Sequence, residues 1–475
     1  MPTFSDIRVR SIMANSLSRG TFAEYMERET AYTWNGTLEG KIALMKMYEW
    51  SRGDVDTDSQ REIWNLEMSL LPILADMEIR WVILDTEKLR EIGERITAGI
   101  KACETEIYDV TGEFLNLNSP KQVADLLFGK LGIKPTKKNK TGYSVDTEVL
   151  EEIAKDYDVA RLIIEHRTLS KLQSTYVESL LKVADKKTHR VHTTYGQLGA
   201  ATGRMSSGDP NLQNIPTGIG YASEIKSCFI PSEGNIFLVA DYSQIEIRVL
   251  AWLSQDHALL DAFEQWEDIH ARTAMFLFPD ATQISAEQRR IAKTVNFWVI
   301  YGITGFGLAK TLGAAPWEAS QYIEAFYLRY PGVKKYYETI LEEGRTLWYV
   351  ETAFGRRRYI PWLTDANKMV RSAWEREAIN MPIQWTAADM LKLAMLDIDA
   401  KVRTYKLHGS MILQVHDELV FDIPKDETTT WEKIVRESME EILKIHTPKY
   451  GMLGDRVPPI SIDMHTGENW VAAKG

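Results

Sequence analysis

The chain has 475 residues, more than one hydrophobic core supports, so at least two subdomains are expected. Its 44% hydrophobic and 26% charged content is ordinary for a globular protein; no apolar run reaches membrane-spanning length and no signal segment opens the chain, so no membrane partner and a cytoplasmic location are expected. The two cysteines, Cys103 and Cys228, are too few for a disulfide framework or a zinc site, and the net charge of −11, taken alone, points away from nucleic acid.

Residues 1–60 read as polar and helical, with no motif that carries chemistry. From Leu66 to Leu181 the pattern is long helices with an excursion between them. Ser119-Pro120-Lys121-Gln122 predicts a helix start, with a serine N-cap, proline at the first helical position and Gln122 closing a capping box. A basic loop follows, with Lys134, Lys137, Lys138 and Lys140, and then a helix through Val149–Lys155. Arg356-Arg357-Arg358 is a second basic cluster. Both clusters fit either a local footprint for a polyanion on an acidic chain or plain solvated surface.

Residues 201–216 are polar and turn-rich, which predicts a loop. Strand-like runs at Phe237–Ala240, Met411–Val415 and Leu419–Ile423 predict a small antiparallel sheet, and the block 256–375 between them reads as helical. Strands separated by a helical insertion indicate an α+β fold. Asp241 follows the first strand at its exposed end, and Asp417 sits at the turn of the hairpin formed by the other two. Sheet pairing would bring these carboxylates together, and hard oxygen ligands suit Mg²⁺, which needs only one or two protein carboxylates besides substrate phosphates. A pair of such ions activates an attacking hydroxyl and stabilises a leaving pyrophosphate. Ser285-Ala-Glu-Gln288 predicts a capping box at the start of a helix. Along it Arg289, Lys293, Phe297 and Tyr301 recur every four residues and form one stripe, which is either a packed amphipathic face or a surface for a triphosphate and a base pair.

Three segments carry a family resemblance. Asp241-Tyr-Ser-Gln-Ile-Glu246-Ile-Arg-Val-Leu-Ala251, then Arg289-Arg-Ile-Ala-Lys293-Thr-Val-Asn-Phe297 with Tyr301-Gly302, then Gln414-Val-His416-Asp417-Glu418-Leu-Val-Phe421, resemble in order motifs A, B and C of the family A DNA polymerases. The resemblance runs from about Asp76 to the C-terminus. It implies a right hand: the tail of an exonuclease-type domain at 1–60, thumb at 61–190, palm at 191–255, fingers at 256–375 and palm again at 376–475. So short a first segment cannot hold the acidic motifs of a proofreading nuclease, so neither proofreading nor 5′-nuclease activity is expected. The resemblance further implies dNTP addition to a primer 3′-OH on a DNA primer–template by a monomer using two Mg²⁺ ions, with Mn²⁺ an acceptable substitute.

Residue by residue, the resemblance makes Asp241 and Asp417 metal ligands and catalytic, with Tyr242 lending its backbone carbonyl, Glu418 less important and Lys293 catalytic alongside them. Arg289, Lys293 and His270 would bind the triphosphate, Phe297 would pack on the incoming sugar and base, and Tyr301 would occupy the template-side pocket. Glu246 would fill the space a ribose 2′-OH needs, with Gln244 supporting that pocket. Arg204 would reach minor-groove acceptors present in every correct pair, and Asn211, Gln213 and Asn214 would follow the primer–template. Arg376, Asn380 and Gln384 would act from the template side and His416 near the primer terminus. Lys137, Lys138 and Lys140 would touch phosphates from the thumb tip.

Trp81, Trp266, Trp298, Trp348 and Trp385 fall where the family pattern has glycine. Glycine and tryptophan are the extremes of side-chain volume, so drift seldom exchanges them. UGA is a stop codon in the standard code but is read as tryptophan in one variant code and as glycine in another. A source that reads UGA as glycine, translated on paper with tryptophan, explains all five; tolerated tryptophans in a divergent enzyme are the alternative. Trp348 closes a helix predicted over Lys334–Leu347, where a left-handed residue is expected. Two rival functions remain: a single-subunit RNA polymerase, which Glu246 argues against, and a primer–template binding protein disabled by Trp298 and Trp385.

Overall fold

In the computed structural model the described residues are 58–139, 142–197, 203–451 and 454–474. Most of the expected nuclease-type tail, Lys140 and the first residues of the 201–216 loop lie outside the described residues. Two compact units are formed. One comprises the described residues up to Arg80, Thr194–Gly208 and Leu238–His465; the other comprises Trp81–Thr193, Asp209–Phe237 and the residues from Thr466 on. Among the described residues no helix is long and apolar enough to cross a membrane.

The first unit opens with α1 (Asp58–Arg80), which buries Leu66, Leu70, Ile73, Leu74 and Met77. The second unit then begins with β1 (Val82–Leu84), followed by α2 (Thr86–Thr111), whose N-cap Asp85 accepts from the Lys88 amide and whose left-handed C-cap is Gly112. Ser119 caps a short helix as expected, accepting from the Gln122 amide at 3.5 Å, but the capping box does not close. The Gln122 amide oxygen instead accepts from the Asn116 amide at 2.7 Å, because the incoming loop folds back over the helix start. Beyond the basic loop, whose residues Lys138–Asn139 pair antiparallel with Gly142–Tyr143, come α3 (Thr147–Ile153) and α4 (Asp158–Lys171). Helices α2 and α4 pack along each other over a core that includes Ile107, Val123, Leu127, Leu150 and Ile163. Strands β2 (Arg190–Val191) and β3 (Phe229–Ile230) flank β1 antiparallel, in the register Val82 to Val191 and Leu84 to Phe229.

The first unit resumes along β4 (Asn235–Tyr242), whose Phe237–Ala240 run is buried throughout, as a continuous apolar strand requires. Then follow α5 (Ile245–Ser254), α6 (Ile269–Leu277), α7 (Ala286–Ile300) and α8 (Pro331–Leu347); the block 256–375 is helical as predicted except for an antiparallel pair, Tyr349–Glu351 with Arg357–Tyr359, directly after α8. The long α9 (Lys368–Tyr405) leads into the hairpin of β5 (Ser410–Val415) and β6 (Glu418–Pro424), and β7 (Ile462–Gly467) ends the sheet. The strand order is β5-β6-β4-β7. Strands β5 and β6 pair antiparallel with a bulge between Met411 and Leu413, and Val415 faces Glu418. That register leaves a two-residue turn, His416-Asp417, with the left-handed φ of 53° at His416 that a tight hairpin favours at its first position. Central β4 therefore ends beside the tip of the hairpin.

Candidate active site

Asp241 stands near the end of β4 and Asp417 at the hairpin tip, and one backbone hydrogen bond joins the two places. The Tyr242 amide donates to the Asp417 carbonyl at 3.1 Å. The strand end is anchored from below by the buried Tyr242 side chain, whose hydroxyl donates to the Met439 carbonyl at 3.0 Å, and beyond it by the Ser243 amide on the Ser461 carbonyl. Residues 176 positions apart in sequence are thus held as neighbours across the sheet, as the sequence predicts. Glu418 is buried at the start of β6.

Arg204 reaches into this corner. Its Nη2 donates to Glu246 Oε1 at 2.7 Å and lies 3.4 Å from both carboxylate oxygens of Asp417. Glu246, in the first turn of α5, is only 8% exposed. From its other side the Tyr301 hydroxyl donates to Oε2 at 2.5 Å. Burial pushes the Glu246 carboxyl above the usual carboxylate range, while Tyr301's hydrogen bond and Arg204's charge pull it down. Burial, then the Glu246 carboxylate, raises the Tyr301 phenol. The Gln384 side chain on α9 acts on the Tyr301 phenol against that rise. The residues predicted for primer terminus, sugar pocket and template side therefore form one connected chain: Asp417, Arg204, Glu246, Tyr301, Gln384. Gln244 is exposed at the left-handed N-cap of α5.

The stripe on α7 faces solvent. The Ser285–Gln288 capping box is closed in both directions. Arg289 and Lys293 are exposed, Phe297 is 49% exposed, and the Phe297 and Tyr301 rings meet edge to face at 4.8 Å. An exposed row of two cations and an aromatic side chain is no packed core face. Arg289 is paired with Asp268 at 2.7 Å, and Asp268 also caps α6 through the His270 and Ala271 amides. His270 lies beside the stripe but buried, with its Nδ1 at 3.0 Å from Asn296 Nδ2. Burial, with Arg289 and Lys293 adding to it against Asp268, lowers its pKa to about 4, so the imidazole it offers is neutral.

On α9, Arg376 is exposed while Asn380 and Gln384 are half-buried at four-residue spacing. The Asn380 side-chain oxygen is buried without a hydrogen bond among the described residues. Asn211, Gln213 and Asn214 belong to the second unit, where Asn211 caps a single turn by accepting from the Gln213 amide and the Asn214 carbonyl accepts from Tyr176. His416 is exposed, and its carbonyl accepts from Gln414.

One expectation about basic clusters needs correction. Arg356, Arg357 and Arg358 are not a surface cluster. Arg356 is buried between Glu67 and Asp389, in a network that Lys392 completes on Glu67 and Thr352 on Asp389. Arg357 pairs with Glu351, and buried Arg358 lies near the rings of Trp374 and Trp385. Buried guanidinium groups persist only when matched by buried carboxylates, and those partners lie far off in sequence. In the loop at 134–140, Lys137 is occupied by Asp146 at 2.7 Å and Glu148 at 3.4 Å, and Lys138 sits over the Tyr143 ring. Sequence reasoning also missed that Arg204 touches Asp417.

Among the described residues no group of three or more His, Cys, Asp and Glu side chains gathers to hold a metal. Two carboxylates beside a backbone carbonyl, with an arginine drawn to one of them, fit a divalent ion that completes its shell with water and substrate phosphate.

The family model for DNA polymerase family A matches residues 86–472. The chain is 41% identical over 456 residues to DNA polymerase I of Geobacillus stearothermophilus, covering 96% of this chain and 50% of that protein. It is 44% identical over 413 residues to DNA polymerase I of Chloroflexus aurantiacus, covering 86% of this chain and 43% of that one. The chain thus spans about half the length of these relatives. A solved structure described as the POL domain of Pol1 from M. smegmatis in complex with DNA primer-template and dNTP superposes with a TM-score of 0.84 at 32% identity, covering 98% of this chain and 82% of that one. The α+β architecture is that of the right-hand polymerase fold.

Proposed function

The chain belongs to DNA polymerase family A, and we propose that it extends a primer 3′ end with deoxynucleoside triphosphates on a DNA template, releasing pyrophosphate. The observation that carries this reading is the joining of Asp417 to the sugar-pocket glutamate through Arg204, with the strand end that bears Asp241 tied to the Asp417 carbonyl by the Tyr242 amide and the exposed Arg289–Lys293 row on α7 in the same unit. The solved relative described with primer-template and dNTP supports the same substrates.

Asp241, Asp417 and the Tyr242 carbonyl would hold two Mg²⁺ ions, with Mn²⁺ an acceptable substitute. Bound there, the metal supplies Lewis-acid activation of the primer hydroxyl and charge neutralisation on the phosphates. The protein's own groups do the rest. Arg289 and Lys293 take the triphosphate, and Lys293 stabilises the charge that develops on the leaving pyrophosphate. Neutral His270 donates a hydrogen bond to a phosphate oxygen. Phe297 packs on the incoming sugar and base. Glu246, clamped by Tyr301 and Arg204, fills the space beside the sugar and turns away a 2′-hydroxyl by bulk. Arg204 turns from Asp417 to the minor-groove edge of the primer-terminal pair, where acceptors are common to all correct pairs. Gln384, Asn380, Arg376 and Tyr301 hold the template side, His416 the primer terminus, and Asn211, Gln213 and Asn214 the duplex beyond. The unit from Trp81 acts as thumb, with Lys137, Lys138 and Lys140 meeting phosphates. The protein works as a monomer in the cytoplasm.

Primer extension with Mg²⁺ tests this reading. Incorporation of dNTPs in preference to rNTPs is expected; preferential rNTP incorporation, or primer–template binding without extension, would overturn it.

A further inference from the structure

We propose that the protein made in its source carries glycine at positions 81, 266, 298, 348 and 385, and that glycine at 298 and 385 is what lets the nucleotide pocket close. The backbone carries the first half of this. Trp81 has φ 64°, Trp266 φ 55° and Trp348 φ 64°, all in the left-handed region that bulky L-residues rarely adopt. No other tryptophan among the described residues has a positive φ. Three of the five tryptophans singled out by sequence are thus the ones the backbone strains, while Trp298 and Trp385 lie within helices.

Local surroundings agree. Trp348 is the C-cap of α8, with φ 64° and ψ 8° and its amide on the Gly344 carbonyl. Elsewhere in this chain left-handed helix ends carry glycine at Gly112 (φ 69°, ψ 19°) and Gly313 (φ 66°, ψ 25°), whose angles Trp348 matches, and unbranched polar residues at Gln255 (φ 50°, ψ 32°) and Lys406 (φ 54°, ψ 39°), but among the described residues no other aromatic. At position 81 the indole and the imidazole of His192 contest the same space. The indole nitrogen and both imidazole nitrogens are buried there with no hydrogen bond among the described residues. Glycine at 81 would relieve the left-handed strain, end the overlap with His192 and remove the buried indole nitrogen.

The two helical positions bear on function and rest on the polymerase reading. Trp385, buried on α9, lies against the backbone of Gly203, so close that a side chain at 203 would meet its ring at 2.6 Å. The next residue is Arg204, which holds Asp417 and Glu246. Trp298 packs edge-on against both Phe297 and Tyr301, the aromatic pair of the proposed pocket. Indoles at these points fill room beside Tyr301 and behind Arg204 that a base pair and a moving arginine need. Reading of UGA as glycine supplies a single cause for all five positions.

Peptide masses of the protein isolated from its source test the identities directly. Glycine in all five peptides is expected, and tryptophan in any one overturns the proposal. A second test compares the chain as written with a variant carrying W81G, W266G, W298G, W348G and W385G. The variant is expected to melt higher by roughly 5 °C, given three relieved left-handed residues in a chain of this size, and to extend primers severalfold faster. A melting temperature no higher than that of the chain as written overturns the proposal. A higher melting temperature with no extension by either form leaves the glycines standing and refutes the polymerase reading instead.

Discussion

Glu246→Ala should lower the preference for dNTPs over rNTPs, and the structure bounds by how much. The carboxylate is 8% exposed and held from opposite sides, by the Tyr301 hydroxyl at 2.5 Å and Arg204 at 2.7 Å. A 2′-hydroxyl on the incoming sugar must either break those charge-assisted bonds, at about 1.5–3 kcal/mol each, or crowd the side chain, at about 1–3 kcal/mol. The cheaper route sets discrimination from this side chain at about 1–3 kcal/mol, or roughly 5- to 150-fold. Alanine should remove that factor. It should damage dNTP use less, because Tyr301 keeps Gln384 as a partner and Arg204 keeps Asp417. Glu246→Gln separates bulk from charge: glutamine keeps the volume and should keep most of the discrimination. The assay is single-nucleotide incorporation, comparing kcat/KM for dNTP and rNTP with the same base. A ratio that alanine leaves within about twofold of the starting value would refute the gate, and a glutamine variant as permissive as alanine would refute bulk as its cause.

Other parts of the molecule give further expected outcomes. Glu67→Ala removes the carboxylate that pairs with buried Lys392 and leaves Arg356 with Asp389 alone, and should destabilise by about 3–5 kcal/mol in urea unfolding; a loss under about 1 kcal/mol would show that the network relaxes or takes in water. Asp146→Ala removes the N-cap of α3 and should lower stability by about 0.5–2 kcal/mol. Lys137 and the Val149 amide hold the Asp146 carboxyl down to about 2, so its contribution is whole above the ordinary value of 3.8 and fades as pH falls through about 2. An Asp146→Ala difference that persists undiminished below pH 2 would contradict that linkage. His270, lowered to about 4 by burial, favours folding fully above its ordinary 6.5 and loses that contribution as pH falls through about 4. KM for dNTP should accordingly show no step from His270 near pH 6.5; a step there that His270→Gln abolishes would mean the imidazole is solvated.

What was legible in the sequence was mostly local. The Ser285–Gln288 box, the strand before Asp241, the hairpin turn at Asp417 and the left-handed helix end at Trp348 each follow from a few adjacent residues, and each is present. The Ser119 box failed because a competing donor, the Asn116 amide, came from a loop whose path is not written locally. The arginine triplet failed for the same reason on a larger scale. Its carboxylate partners Glu67 and Asp389 come from two distant helices, so a run that looks like solvated surface is in fact core. Arg204 meeting Asp417, 213 positions away, and Tyr301 meeting Glu246 depend on how the sheet places the hairpin tip and where α7 ends. Motif order implied which residues belong to the site. Only the fold shows that a single arginine joins Asp417 to Glu246.

The account rests most heavily on Asp241 and Asp417 being the metal-holding pair of a DNA-synthesising site. Primer extension with Mg²⁺ by Asp241→Ala and Asp417→Ala, measured beside primer–template affinity, tests that claim directly. Extension should be abolished in both variants while duplex binding stays close to that of the parent protein, because grip on the duplex comes from other residues. Appreciable turnover by either variant would contradict the account.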